Sequence, residues 1–252
     1  MKPMTRRRLV TAGLATTAGA AGLAAAGVAA RRLGLVPPDH CGPYGAGETL
    51  TYSAERLLGE NAMAREFPRE LISERPFANP VAPPSESFRK LEAGGFADWR
   101  LVVDGLVAHP LSLSLADLKS MGVHSHITEV SCEEGWSYIA QWKGTPVSTV
   151  LRAAGIMPAA RYLAYFSIEH GWWESVDIAE AMHPQTLLAW GMNDGDLPVP
   201  FGGPLRIRVP RQLGYKSVKY IVRITAAESM KGFGKGLGSA SPEAGYAWYA
   251  GI

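Results

Sequence analysis

The chain has 252 residues, 47% of them hydrophobic, with 25 Lys+Arg against 23 Asp+Glu and a formal charge of +2. This is an ordinary globular balance, and it carries no electrostatic footprint for nucleic acid, so that class is set aside. The length allows one sizeable domain or two small ones.

Residues 1–30 read as a signal or membrane-anchor segment. Lys2 and Arg6-Arg7-Arg8 precede an uncharged run from Leu9 to Ala30, and Val28-Ala29-Ala30 offers a small-residue cleavage site. The start Thr5-Arg6-Arg7-Arg8-Leu9-Val10 resembles a twin-arginine signal, the route for proteins exported already folded around a cofactor. A plain secretory peptide and a retained membrane helix are the alternatives. The Ala/Gly richness gives little hydrophobicity per residue and favours a signal over a permanent span. The expected location is the periplasm, with a membrane tether through this segment left open.

Residues 31–96 are irregular and proline-rich, with one short helix expected near Ser53–Leu58. Phe67, Leu71, Ile72, Phe77 and Phe88 give the segment anchors, so it is expected to wrap a core as an arm. Residues 97–228 carry the main domain. A strand is expected at Trp99–Val103, ending on the Asp104-Gly105 turn, and Ser114 should cap a short helix through Met121. Ile127 to Cys132 reads as a strand ending at the cysteine. Thr145-Pro146 supplies a cap and a first-turn proline for a helix that Gly155 stops. Further strands are expected at Arg161–Ile168, Leu187–Met192 and Val218–Thr225, while Leu205–Val209 alternates apolar and basic residues. Residues 229–252 read as a glycine-rich C-terminal tail. Without regular βαβ units or repeats, the fold class is α+β, mixed and β-rich.

The only two cysteines are Cys41 and Cys132. A disulfide between them is the default for an exported chain, but the surroundings of Cys132 offer a better use for it. A lone cysteine where a strand enters an irregular turn is a candidate reactive or ligating thiolate. The late stretch puts Arg206 on a strand, then a glycine turn, then Lys216 and Lys219 around Ser217. Such cations with backbone N–H groups around a turn can hold a phosphate, although a solvated basic face fits the spacing equally well.

Five blocks recur in a recognisable order: Cys132-Glu133-Glu134-Gly135-Trp136-Ser137, Trp142-Lys143-Gly144-Thr145-Pro146, His183-Pro184-Gln185-Thr186-Leu187-Leu188, Gly203-Pro204-Leu205-Arg206 and Gly214-Tyr215-Lys216-Ser217-Val218-Lys219. Together they resemble the molybdopterin domain of the sulfite-oxidase family, closest to its bacterial exported sulfoxide-reducing members, over about Asp98 to Ile224. The resemblance implies a sulfite-oxidase-type molybdopterin-binding domain and a molybdenum-molybdopterin cofactor. Cys132 would ligate the metal and be the catalytic residue, a soft thiolate suiting a sulfur-rich site. Ser167, Arg206, Lys216, Ser217 and Lys219 would hold the pterin and its phosphate, and Asn79 matches more loosely. The implied reaction is two-electron oxygen-atom transfer, with methionine sulfoxide or another S-oxide or N-oxide as the leading substrate.

The departures from the family pattern are informative. Phe201 stands where relatives carry His or Asn, and Trp172 where sulfite oxidase has its active-site tyrosine. Glu133 and Glu134 replace basic residues beside the ligand and should repel a sulfite dianion. No haem-attachment motif is present, so electrons are expected from a separate partner, a haem or quinone-linked protein. His124 and His126 read as an ordinary exposed pair, and His170 as a candidate proton donor at the substrate mouth. Two rivals remain: a cofactor-free exported β-rich binding or structural protein, and a cysteine hydrolase using Cys132 with His170.

Overall fold

The computed structural model describes residues 27–31, 33–79 and 85–252. The start of the expected signal therefore lies outside the described residues. Among those described, no helix is long and apolar enough to cross a membrane.

Two mixed-length sheets carry the molecule. In the first, β1 (Leu101–Gly105) pairs in parallel with β10 (Ile221–Ala227) and antiparallel with β2 (Leu111–Leu113). Strand β5 (Tyr162–Ser167) then joins β10 to β6 (Trp173–Asp177), giving the order β2-β1-β10-β5-β6. In the second, β3 (His124–Ser131), β4 (Ser137–Pro146), β7 (Leu187–Met192) and β8 (Gly195–Asp196) run in that order, and β9 (Arg206–Arg208) also pairs with β7.

The strands form where β-branched and aromatic residues meet a buried face. Leu101 and Val103 turn inward and Val102 outward, the period-two pattern of a one-sided strand. Strand β7 is buried along its whole length, as its unbroken apolar sequence requires. The larger core collects Trp99, Leu101, Leu163, Tyr165, Ile207 and Ile224, and a second cluster packs Tyr138, Trp142 and Leu187 beside the site.

Several local expectations are refined. Helix α1 (Gly45–Leu58) begins well before Ser53. Ser85 caps α2 (Glu86–Ala93), and Ser114 caps α3 (Leu115–Ser120) in a reciprocal box with Asp117. Thr145 does not cap a helix: β4 continues through Pro146, and α4 (Val147–Ala153) starts one residue later. The Thr145 hydroxyl instead donates to the Leu118 carbonyl at 2.7 Å. Strand β9 is buried at all three positions, so its two arginines form no solvated face.

The proline-rich segment lies along the second sheet. Phe67 N–H donates to Ile127 O at 2.9 Å, Ser73 N–H to Ile139 O at 2.9 Å, and Gln185 grips Ala64 through both amide atoms. His126 is buried rather than exposed. Its Nε2 contacts Gln185 O at 3.0 Å, and burial with the nearby Arg208 charge lowers its pKa to about 4. Cys41 and Cys132 are both free thiols, so the disulfide is excluded.

Candidate active site

Strand β3 delivers Cys132 to the end of the second sheet, where the chain turns at once: Cys132 N–H donates to Trp136 O and Gly135 N–H to Cys132 O, both at 3.0 Å. The hairpin into β4 thereby points the thiol into a cavity of about 530 Å³. A larger cleft, about 820 Å³, contains Cys41 and shares no residue with the five sequence blocks.

Five of the six expected site residues line the smaller cavity: Cys132, Ser167, Arg206, Ser217 and Lys219. Asn79 and Phe201 line it as well. Lys216 is placed otherwise. Its side chain is fully buried outside the lining, and its ammonium donates to Glu174 Oε2 at 2.8 Å. His170 is exposed and does not line the cavity, whereas Glu169 and Trp172 on the same turn do.

One half of the cavity is cationic. Arg206 donates to the carbonyls of Phe201, at 2.8 Å, and of Ser217. Behind it Arg208, wholly buried, donates to Val209 O, Thr128 Oγ1 and Glu129 O, while its Nε has no partner. Lys219 donates to Asn79 O at 3.0 Å and Pro200 O at 2.7 Å. Among the described residues none of these three cations pairs with a carboxylate. The Trp142 ring lies 5.1 Å from the Arg206 guanidinium and 5.7 Å from that of Arg208, a partial compensation through its π face.

Burial and the Arg206 charge bring the Lys219 ammonium down to about 7, and the same two causes bring Arg208 to about 9. Isolated buried charges cost several kcal/mol each, so a cluster this poorly compensated is built for an anion. Gly202 keeps the approach close, with φ at +108° and a Cβ there overlapping the Lys219 and Arg206 side chains.

The other half is acidic and aromatic. The Cys132 thiol donates to Glu133 Oε2 at 3.2 Å, and Trp136 Nε1 donates to Glu134 Oε2 at 2.7 Å. Desolvation, reinforced by the Glu133 hydrogen bond and both glutamate charges, pushes the thiol up to about 11. A free thiolate nucleophile is therefore disfavoured, and a metal cation would reverse the balance. Among the described residues no three His, Cys, Asp or Glu side chains converge to hold a metal. The protein thus offers a metal one soft ligand, and an anion a cationic cradle beside it. That donor set fits a metal brought in by a sulfur-rich phosphorylated cofactor.

The tertiary structure adds residues that the sequence motifs did not mark. Ala240, Ser241, Ala244 and Tyr246 come from the stretch read as a tail, and Phe77 from the wrapping segment. The aromatic density of Tyr246-Ala247-Trp248-Tyr249 was the available signal that this tail is packed, and Trp248 is 1% exposed.

Fold and site together define a mixed α+β domain whose cavity sets one free cysteine beside a group of cations. Residues 90–232 match the family described as oxidoreductase molybdopterin binding domain, and the chain belongs to that family. It binds molybdenum-molybdopterin. A protein of Azospira oryzae, provisionally named as a protein-methionine-sulfoxide reductase subunit, is 33% identical over 195 residues, 77% of this chain and 70% of its own length. The protein-methionine-sulfoxide reductase catalytic subunit of Xanthomonas campestris pv. campestris is 36% identical over 169 residues, 61% of this chain; the match spans 52% of that relative. Among solved structures, the sulfane dehydrogenase SoxCD of Paracoccus pantotrophus shares the fold at a TM-score of 0.50 and 23% identity, over 52% of this chain and 39% of that one.

Proposed function

We propose that this protein is an exported reductase of S-oxides, methionine sulfoxide foremost, with Cys132 as the molybdenum ligand and Ser167, Arg206, Ser217 and Lys219 as contacts to the pterin and its phosphate. The observation that carries the reading is the pairing of the Cys132 thiol with unpaired cations in one cavity. The names of the Azospira and Xanthomonas relatives support the substrate class.

When bound, the cofactor supplies the two-electron oxygen-atom transfer. The net reaction takes up two electrons and two protons, converts the sulfoxide to a thioether and releases water. The residues of the chain bind and orient. Arg206 and Lys219 hold the anionic end of the cofactor and Cys132 fixes the metal end. Phe77, Trp136 and Trp172 give the mouth an apolar wall for a thioether side chain. Glu133 and Glu134, both exposed at the cavity, disfavour an anionic substrate, which argues against sulfite.

Electrons come from a separate partner, a haem or quinone-linked protein. The twin-arginine-like start directs the chain to the periplasm, with cleavage or retention of residues 1–30 decided by fractionation. The wrapping segment 31–96, the core 97–228 and the C-terminal stretch 229–252 act as one unit around the cofactor. The decisive assay compares turnover of methionine sulfoxide, dimethyl sulfoxide and trimethylamine N-oxide, with a chemical electron donor, against sulfite oxidation. Sulfoxide reduction without sulfite oxidation is expected; efficient sulfite oxidation would overturn the proposal.

A further inference from the structure

We propose that Lys216 is a positioning residue: through Glu174 it seats the C-terminal segment 238–249 as one wall of the cavity. The inference rests on the reading of that cavity as the active site. It assigns Lys216 a task different from its neighbours Ser217 and Lys219, although all three stand in one sequence block.

The Lys216 ammonium is fully buried and donates to Glu174 Oε2 at 2.8 Å and to Ser239 Oγ at 3.4 Å. The second oxygen of Glu174 accepts from the Ser241 N–H at 3.0 Å, at the start of α5 (Ala240–Glu243). One carboxylate on β6 thus bridges the turn that carries the cofactor contacts and the segment that closes the cavity. The charge of Lys216 is matched locally, unlike those of Arg206, Arg208 and Lys219, so it adds nothing to the anion cradle.

The seat is reinforced on both sides. Ser175, next to Glu174, donates its hydroxyl to Gly238 O at 2.7 Å and accepts from Trp248 Nε1 at 2.8 Å. Trp248 N–H donates to Asp39 Oδ2 at 2.8 Å. Tyr215, next to Lys216, donates to Ala247 O at 2.7 Å, and its ring packs 5.5 Å from that of Tyr246. Gly238, at φ +102°, leaves no room for a Cβ against the Trp248 ring. Ala240, Ser241, Ala244 and Tyr246 thereby face the cavity. Losing the Lys216–Glu174 pair should loosen this wall while the cradle stays intact.

The test uses the full-length enzyme with Lys216→Met, Lys219→Met and the double variant Lys216→Met/Glu174→Gln. Three quantities are read: amide hydrogen exchange across 239–249, molybdenum per chain, and KM against kcat for methionine sulfoxide. Lys216→Met is expected to raise exchange across 239–249 about tenfold or more, to raise KM more than it lowers kcat, and to retain molybdenum. Lys219→Met is expected to lose molybdenum while exchange across 239–249 stays at the wild-type level. Molybdenum loss from Lys216→Met comparable with that from Lys219→Met would overturn the assignment, as would unchanged exchange. Lys216→Met leaves Glu174 buried and unmatched and can fail to fold. The double variant leaves no such charge, and wild-type exchange across 239–249 in it refutes the proposal. A wild-type enzyme that reduced no sulfoxide would sink the proposed function alone, because exchange and molybdenum content still decide the role of Lys216.

Discussion

The two halves of the cavity use charge in opposite ways. On one side Arg206, Arg208 and Lys219 rest on carbonyl and hydroxyl oxygens and, among the described residues, meet no carboxylate. On the other, Glu133 and Glu134 crowd the thiol with no cation against them. Buried charge is costly, so the cationic half describes what is missing from it, whereas the two glutamates are exposed. The cationic half suits a permanent anion, the place proposed for the pterin phosphate. The acidic half is open to solvent, and in the proposed reading it borders the mouth, where it would filter what enters. Cys132 stands between them, where a ligated metal would separate a fixed cofactor from an exchanging substrate.

The comparison is broken most severely at its midpoint. Cys132→Ser should lower turnover roughly 100-fold or more and change the molybdenum spectrum, because the soft ligand is lost. Cys41→Ser, exposed in the other cleft, should do neither; equal damage from both would break the assignment of the ligand.

On the cationic side, Arg206→Met removes hydrogen bonds from an ionised donor. Each is worth about 1.5–3 kcal/mol, so cofactor retention should weaken roughly 10- to 100-fold, read as molybdenum per chain after dialysis. On the acidic side, Glu134→Gln should leave cofactor retention near wild type and ease the exclusion of sulfite. If Glu134→Gln lost cofactor as Arg206→Met does, the division into two halves would fail.

Lys219 sharpens the comparison through pH. In cofactor-free protein its pKa falls from the usual 10.5 to about 7, because burial and Arg206 disfavour the charged form. Between pH 7 and 10.5 the unfolded chain then binds more protons than the folded one, so stability rises with pH across that window. An anion in the cradle restores the charged form and flattens the slope. Denaturant midpoints of apo and holo protein from pH 7 to 10 check this, with Lys219→Met as the control that removes this contribution to the slope.

The smallest effect lies away from the cavity. His126 and His183 are held neutral by burial, each with its pKa lowered from 6.5 to about 4. The stability of the neutral forms is present above 6.5 and is lost as pH falls from 6.5 toward 4. His126→Gln should reduce that acid sensitivity in a urea midpoint series.

Much of this was legible in the chain alone, and for identifiable reasons. Cys132 is followed at once by turn residues, and its block stands in order with the Arg206 and Ser217-Val218-Lys219 blocks, so family and cofactor could be read before any fold. Strand β7 and the cap at Ser114 were legible because local hydrophobicity and side-chain capping are short-range. Other features were not. The alternation around Arg206 and Arg208 fits a solvated basic face, yet both side chains are buried, their guanidinium groups held by carbonyl and hydroxyl oxygens distant in sequence. Thr145-Pro146 carries a helix-start signal, but pairing of β4 with β7 through Pro146 outweighs it.

Sequence by itself determined which groups the site can draw on: a lone cysteine, a set of cations and two acidic residues next to the cysteine. Tertiary structure decided which cation does what. Lys216 and Lys219 look equivalent along the chain, but one meets Glu174, 42 positions away, and the other meets no acid. The glycine-rich stretch is likewise fixed by contacts such as Trp248 to Asp39, 209 positions apart. A charge acts through its nearest neighbours in space and the solvent it has lost, and local sequence specifies neither.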